Sequence, residues 1–272
     1  MKNKIYLWEE KVPYFNEAYN QEPPSITEYF LDNGKKNGFV LVIPGGGYGF
    51  VCVDHEGDAI CRYLNDNGIS AAYLNYRIEP YRHPVMETDA RRAIRLVRYN
   101  ADKWGIDSEK IGTIGFSAGG HLAAHYSNAY AWPEVRELFP ESKPVNASVL
   151  CYPVITADLK NAHYNSFQNL LGKETLTAEE KLRFSCNNMV TSQTPPTFLW
   201  HTRQDQVVPV MNSLLYGQAL AEHGVPFAMH IYPEGVHGLS TVDSVTNNEL
   251  RPAVMLAKEW LEAVQKCLSF TF

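Results

Sequence analysis

Ser117 is the residue whose surroundings most directly suggest catalysis, because it lies in a Gly-x-Ser-x-Gly pattern. A β-branched and aromatic run, residues 111–116, precedes it, and small residues that open a helix follow it. This context is typical of a nucleophile elbow, a strand-to-helix turn that exposes the serine hydroxyl and aims the next backbone N–H, that of Ala118, the same way. Composition alone yields such a match in roughly one chain in ten of this length, so the context carries the prediction.

Two further residues with suitable side chains follow predicted strands. Asp205 lies in the loop after the apolar run 197–200, ahead of a helix predicted to open near Pro209. His237 lies between glycines in the loop after the run 227–232. Alone, the aspartate would be a turn or cap residue, and the histidine would be a solvated loop residue. Together with the serine they follow the order serine, aspartate, histidine, each after a strand, which is one chain order of a hydrolytic triad.

A glycine-rich loop leaves another predicted strand upstream. The apolar run 39–43 leads into Pro44 and then Gly45, Gly46 and Gly47. Backbone without side chains can present N–H groups to the oxyanion of a tetrahedral intermediate. The alternative is a tight turn that needs positive φ and takes no part in chemistry.

The chain resembles the α/β-hydrolase serine esterases, specifically the hormone-sensitive-lipase-like and bacterial acetyl-xylan-esterase-like group of small acyl esterases. The likeness extends from about Phe39 to Glu262. It is carried by PGGGY at 44–48, Asn75-Tyr76-Arg77, His83-Pro84, Asp89-Ala90, Asn100-Ala101, Trp104-Gly105-Ile106-Asp107, GFSAGGHLA at 115–123, Asp205 with Val208-Pro209, and His237-Gly238. One departure is Pro44, where many relatives begin the glycine loop with histidine.

The resemblance implies a role for each of the three triad residues. Ser117 is expected to be the nucleophile, and His237 the general base that later returns the proton as an acid. Asp205 is expected to hold the imidazole in the tautomer that this transfer needs. The expected fold is the α/β-hydrolase fold, a mostly parallel central sheet flanked by helices, with an insertion between two late strands.

The resemblance also implies an oxyanion hole formed by the N–H groups of Gly46, Gly47 and Ala118. The Ala118 donor follows from the elbow itself. Whether Gly45 replaces one of the loop donors is left open by the sequence. Tyr48 either lines the substrate pocket or packs as a core aromatic beside the loop.

Hydrophobic patterning indicates the elements that must position these residues. Short apolar runs rich in β-branched and aromatic residues predict strands buried on both faces. They are residues 39–43, 71–76, 111–116, 147–154, 197–200 and 227–232. The clearest helical pattern between them has apolar residues at Ala90, Ala93, Ile94, Val97, Ala101 and Trp104. Such alternation predicts a mostly parallel sheet whose strand ends carry the site.

One stretch, residues 156–196, interrupts the alternation. It is rich in Asn and contains one helical pattern near 178–184. A segment of that length inside a compact domain is commonly a lid or a substrate-binding insertion. The alternative is an ordered, inert excursion on the surface.

Length and composition predict a single globular domain over residues 1–272. The chain is 45% hydrophobic and 20% charged, which excludes disordered and collagen-like classes. No apolar run approaches the roughly 18 residues of a membrane span, and the run 5–8 is too short for a signal peptide. Five scattered cysteines without a C-x-x-C pair indicate neither a disulfide framework nor a zinc cluster. A reduced, cytoplasmic protein is expected.

The charge pattern argues against a nucleic-acid partner. Lys and Arg number 24 against 30 Asp and Glu, a net charge of -6, which is opposite in sign to proteins that neutralise phosphates. Arg91, Arg95 and Arg98 form a basic stripe, in which Glu87 precedes Arg91 by four residues and Asp102 follows Arg98 by four. That spacing is typical of a solvated helix face.

Neither a cofactor nor a metal is expected. The dinucleotide pattern would need glycine where Phe50 or Cys52 stands, and the P-loop would need lysine where His121 stands. His121 and His125 are spaced like zinc ligands, but Leu122 replaces the glutamate of a zinc protease.

We therefore expect a serine carboxylic-ester hydrolase that acts through an acyl-enzyme on a small-molecule ester. The resemblance points to acetyl groups on sugars or xylo-oligosaccharides. The alternatives are a peptidase or amidase with the same triad, and a catalytically inactive hydrolase fold used for binding. The sequence leaves the alcohol moiety and the oligomeric state open.

Overall fold

The computed structural model describes residues 3–240, and in that part of the chain eight strands form one sheet. The strands are β1 Lys4–Tyr6, β2 Ser25–Tyr29, β3 Asn37–Ile43, β4 Ser70–Asn75, β5 Ile106–Phe116, β6 Ala147–Cys151, β7 Thr197–Thr202 and β8 Phe227–Tyr232. Residues 241–272 of the predicted domain, and with them the end of the likeness at Glu262, lie outside the described residues.

The strands lie side by side in the order β1-β2-β4-β3-β5-β6-β7-β8. β2 pairs antiparallel with β1 and β4, and every neighbouring pair from β4 to β8 is parallel. The prediction of a mostly parallel sheet is confirmed. The two antiparallel strands were not predicted, because each is short and lacks a continuous apolar run.

Helices cover the sheet, and none that the structure describes is long and apolar enough to cross a membrane. They are α1 Ala59–Asp66, α2 Val85–Tyr99, α3 Ser117–Asn128, α4 Pro133–Leu138, α5 Tyr164–Leu171, α6 Ala178–Phe184 and α7 Met211–Glu222. A π-helical turn, Asp54–Asp58, directly precedes α1. The predicted alternation of strands and helices is confirmed.

Both faces of the sheet are covered, which explains the unbroken apolar runs. In β3, Leu41 and Ile43 pack in one core cluster, and Val40 and Val42 pack in the other, because successive side chains of a strand point to opposite faces. The prediction of burial on both faces is wrong for β8, where Phe227 is 39% exposed. Among the strands of residues 3–240, β8 is at the edge of the sheet and pairs with β7 alone.

Two predicted boundaries are wrong by several residues. β6 ends at Cys151 instead of Val154, because Tyr152 has a left-handed φ of 37° and breaks the extended backbone. α2 ends at Tyr99, although its apolar pattern continues to Trp104. Trp104 still packs against the core from the segment beyond the helix, so its place in the pattern reflects burial and not helical structure.

The arginine stripe of α2 is not a uniformly solvated face. Arg91 is 2% exposed and pairs with Glu87, which is equally buried. Its guanidinium also donates to Ser142 Oγ over 2.7 Å and to the carbonyl of Tyr126 over 3.0 Å. For Arg91 the predicted solvated position is wrong, because α3 and the segment after α4 cover it.

The insertion, residues 156–196, lies between β6 and β7 as predicted. The helix near 178–184 is confirmed as α6, and a capping box opens it: Thr177 and Glu180 each bond the other's backbone N–H. α5 was not predicted, because eight residues with few buried apolar positions give a weak helical pattern.

Acid should destabilise the fold through buried His121. Tyr48 donates to its Nδ1 over 2.8 Å, and its Nε2–H donates to the carbonyl of Phe184 over 2.9 Å, which fits a neutral ring. Burial lowers the pKa of His121 from 6.5 to about 3. Because the unfolded chain binds this proton more tightly, the stabilisation is complete above pH 6.5 and is lost as pH falls toward 3. At pH 5 the loss is about 2 kcal/mol.

We expect His121→Gln to reduce the fall in unfolding free energy between pH 7.5 and pH 5 by about 2 kcal/mol, measured by urea unfolding at both pH values. The glutamine amide can still accept from Tyr48 and donate to Phe184 but does not titrate. Burial also lowers the pKa of His83 to about 3. Because His83 remains in this variant, part of the pH dependence of stability should persist. The same substitution at exposed His223 serves as control. An unchanged fall in His121→Gln would contradict the prediction.

Candidate active site

Ser117 lies where β5 ends and α3 begins, in a turn that requires glycine on both sides. Its φ is 51°, a left-handed value that a serine adopts only where its surroundings hold it there. A Cβ on Gly119 would lie 2.1 Å from the carbonyl oxygen of Ile43, and one on Gly115 would lie 2.4 Å from that of Gly119. A Cβ on Gly45 would lie 2.9 Å from Ser117 Cβ. The glycine loop therefore runs directly beside the elbow.

The structure brings Ser117, Asp205 and His237 together from the carboxyl ends of three strands. Ser117 Oγ donates to His237 Nε2 over 2.8 Å, and His237 Nδ1 donates to Asp205 Oδ2 over 2.6 Å. Ser117 and Asp205 are each 6% exposed, and the histidine ring is partly open to solvent. In this geometry the imidazole can take the serine proton while the carboxylate stabilises the charge that forms.

Four donors surround the carboxylate of Asp205. Its Oδ1 accepts the N–H groups of Val207 and Val208, each over 2.9 Å. Buried His201 shares its Nε2–H between the carbonyl of Val208 at 2.9 Å and Asp205 Oδ2 at 3.2 Å. Burial alone would raise the pKa of Asp205, but the hydrogen bonds from His201 and His237 hold it well below its usual range. The carboxylate is thus ionised at neutral pH. No sequence pattern had indicated His201.

The glycine loop offers two free backbone donors. Gly46 and Gly47 have positive φ values of 126° and 62°, and their N–H groups have no acceptor in the described part of the chain. The N–H of Ala118, in the first turn of α3, is equally free. Gly45, by contrast, donates to Glu56 Oε2 over 2.8 Å. Because the N–H of Gly45 is already bonded to Glu56, it cannot replace the N–H of Gly46 or Gly47 as a free donor.

A buried carboxyl group, that of Glu56, links the glycine loop through Tyr152 to the loop that carries His237. No sequence pattern indicates Glu56. Beside the bond from Gly45, its Oε1 accepts the hydroxyl of Tyr152 over 2.7 Å. The Tyr152 ring lies 5.0 Å from the ring of His237, and its hydroxyl oxygen accepts the N–H of Ser240 over 2.9 Å. Burial raises the pKa of Glu56 against the effect of these donors. One side chain thus supports both loops.

Comparison with known proteins identifies the family. The BD-FAE family matches residues 29–220. The chain belongs to the BD-FAE family. It is 37% identical over 246 residues, 87% of its length, to endo-1,4-beta-xylanase B of Butyrivibrio fibrisolvens, covering 38% of that protein. It is 34% identical over 212 residues, 77% of its length, to the acetylxylan esterase of Xylanibacter ruminicola, covering 42% of that protein. The chain therefore spans about two fifths of the length of these curated relatives.

Solved structures match this BD-FAE chain over nearly its full length. The acetyl ester-xyloside bifunctional hydrolase of Caldicellulosiruptor lactoaceticus is 42% identical, with a TM-score of 0.85 and 97% coverage of both chains. A carboxylesterase of Lactobacillus plantarum is 26% identical, with a TM-score of 0.75 and coverage of 90% of this chain and 92% of its own. The predicted α/β-hydrolase fold is confirmed.

Two other predicted features of this BD-FAE chain lie in the core. Tyr48 is 1% exposed and bonds His121, so its side chain is the buried aromatic beside the loop and not a pocket wall. His121 and His125 bond different protein groups: His121 bonds the carbonyl of Phe184, and His125 Nδ1 donates to Glu87 over 2.5 Å. Within residues 3–240, no group of three or more potential ligands is placed to hold a metal.

Proposed function

We propose that the chain is a serine carboxylic-ester hydrolase that removes short acyl groups, chiefly acetyl, from xylo-saccharides. The observation that carries the proposal is the continuous hydrogen-bonded array from Ser117 through His237 to Asp205. Membership of the BD-FAE family supports the reaction class. A cytoplasmic location stays part of this proposal.

In the proposed mechanism, Ser117 Oγ attacks the ester carbonyl as His237 Nε2 takes its proton. The oxyanion is stabilised by the N–H groups of Gly46, Gly47 and Ala118, which are free donors beside the nucleophile. His237 then protonates the leaving alcohol, and an acyl-enzyme remains on the serine. Water, deprotonated by the same imidazole, releases the carboxylic acid.

The saccharide part of the proposal has two supports. Two relatives are named for acetyl esters of xylan or xyloside: an acetylxylan esterase and an acetyl ester-xyloside hydrolase. In addition, the start of α5 places polar side chains against the glycine loop, including Asn165, whose Nδ2 would lie 3.9 Å from a Cβ on Gly47. A long apolar chain lying there would bury such groups without partners, which is unfavourable.

Initial rates with 4-nitrophenyl acetate, butyrate and octanoate, and with acetylated xylo-oligosaccharide, test this function. We expect kcat/KM for octanoate to be at least about 10-fold below that for acetate, with release of acetate from the oligosaccharide. Equal rates across the three chain lengths would contradict the short-acyl assignment. Turnover of acylated peptides or amides without turnover of esters would instead indicate a peptidase or amidase.

A further inference from the structure

The insertion docks directly onto the glycine loop. Asn169, within α5, donates from Nδ2 to the carbonyl oxygen of Gly47 over 2.9 Å. The carbonyl of Gly47 is thereby held from the insertion side, while its N–H stays free. The insertion is therefore in contact with a loop that borders the nucleophile, and is not a detached surface excursion.

His163 has an imidazole ring close to the point where the insertion meets the glycine loop. It directly precedes α5, and its Cε1 would lie 3.8 Å from a Cβ on Gly47, an ordinary van der Waals distance. Ser166 Oγ, one turn later, would lie equally far from the same point. The space that a side chain at position 47 would enter is thus bordered by the His163 ring and the Ser166 hydroxyl.

One nitrogen of the His163 ring is fixed and the other is free. Ser166 is fully buried, and its hydroxyl lies 2.8 Å from His163 Nδ1, with no other acceptor for it among residues 3–240. Ser166 therefore donates to Nδ1, which leaves the proton of a neutral ring on Nε2. Nε2–H has no partner in the described part of the chain, and the residue is partly exposed.

The His163 ring also interacts electrostatically with His237 and Asp205. Burial lowers the pKa of His163, and a protonated His237 lowers it further, while the carboxylate of Asp205 opposes this effect. Gly45 of the glycine loop approaches Ser117, and Gly47 of the same loop lies toward His163, so the nucleophile and the His163 ring border one loop.

We propose that His163 is a substrate-binding residue of the insertion, whose Nε2–H donates a hydrogen bond to a hydroxyl or ring oxygen of the saccharide alcohol. This inference rests on the proposed function. A neutral imidazole held by a buried serine is a pre-oriented donor, and a donor of this kind recognises the oxygen-rich edge of a pyranose. In this proposal the insertion contributes to selectivity for the alcohol part of the ester, and the triad carries out the reaction at the carbonyl.

The test compares an acetylated methyl xyloside, which offers hydroxyl groups, with 4-nitrophenyl acetate, which offers none. In His163→Phe the planar ring stays and the donor is lost, so we expect the ratio of kcat/KM for the xyloside to that for 4-nitrophenyl acetate to fall about 5- to 10-fold, the effect of one neutral hydrogen bond. The change should appear mainly in KM for the xyloside. Ser166→Ala, which frees the ring to rotate, should lower the ratio less.

Exposed His223 at the end of α7 gives the matched control, since His223→Phe makes the same change outside the site and should leave the ratio as in the wild type. An unchanged ratio in His163→Phe, with a wild-type circular dichroism spectrum, overturns the inference. An equal fall in kcat for both substrates also overturns it, because the ring would then act at the carbonyl. A wild type that hydrolyses neither ester overturns the proposed function and this inference with it.

Discussion

Replacing Ser117 by alanine should lower kcat for 4-nitrophenyl acetate by about 10⁴-fold or more. The substitution removes the proposed nucleophilic atom and leaves His237 and the backbone donors in place, so we expect the remaining rate to reflect only oxyanion stabilisation and binding. Alanine keeps the backbone and Cβ of the elbow, whose left-handed φ of 51° is imposed by the surrounding glycines. The fold should therefore persist, as measured by thermal unfolding.

Ser127 provides the control for this substitution. It lies on the same helix, α3, is fully buried, and its hydroxyl donates only to the carbonyl of Ala123, over 2.8 Å. Ser127→Ala should keep kcat within about twofold of the wild type, because it touches no group of the site. Ester hydrolysis by Ser117→Ala at near the wild-type rate would exclude Ser117 as the nucleophile.

The second large effect is expected from Asp205→Asn, with kcat falling about 10⁴-fold. The amide oxygen can still accept the N–H groups of Val207 and Val208, so the loop keeps its shape. The amide NH₂ then faces His237 Nδ1 and favours the tautomer that carries its proton on Nε2. In that tautomer Nε2 cannot accept the proton of the serine, so the base is lost while its position is kept.

The kinetic pattern distinguishes this tautomer effect from general disruption. KM for 4-nitrophenyl acetate should change little, since in the proposed mechanism the carboxylate acts on the transition state and does not touch the substrate. Asp107, an aspartate at the surface whose Oδ1 accepts the N–H of Glu109 over 3.0 Å, gives the matched control. Asp107→Asn should leave both constants as in the wild type. A fall of less than tenfold in Asp205→Asn would show that the carboxylate does not orient the imidazole.

Sequence alone determined the features that depend on local sterics. The elbow around Ser117 needs glycines at fixed spacing because the backbones of β3 and α3 approach within contact distance there. Strands covered on both faces must be apolar throughout, so the runs that precede Asp205 and His237 were visible as well. These signals lie within a few residues of the groups they describe, which is why the order of the three residues was readable without coordinates.

Tertiary structure alone decided which distant groups complete the site. Glu56 and Tyr152 are 96 positions apart, and Asn169 bonds the carbonyl oxygen of Gly47 because the insertion folds back onto the glycine loop. The spacing of Arg91 from Glu87 predicts a solvated side chain, but Arg91 is buried. Burial depends on which other segments pack over a side chain. Hydrogen-bond partners and burial are properties of the packed chain and leave no periodic trace in sequence. The order of Ser117, Asp205 and His237 was readable from local sequence patterns, whereas the groups that bond to their loops come from distant parts of the chain.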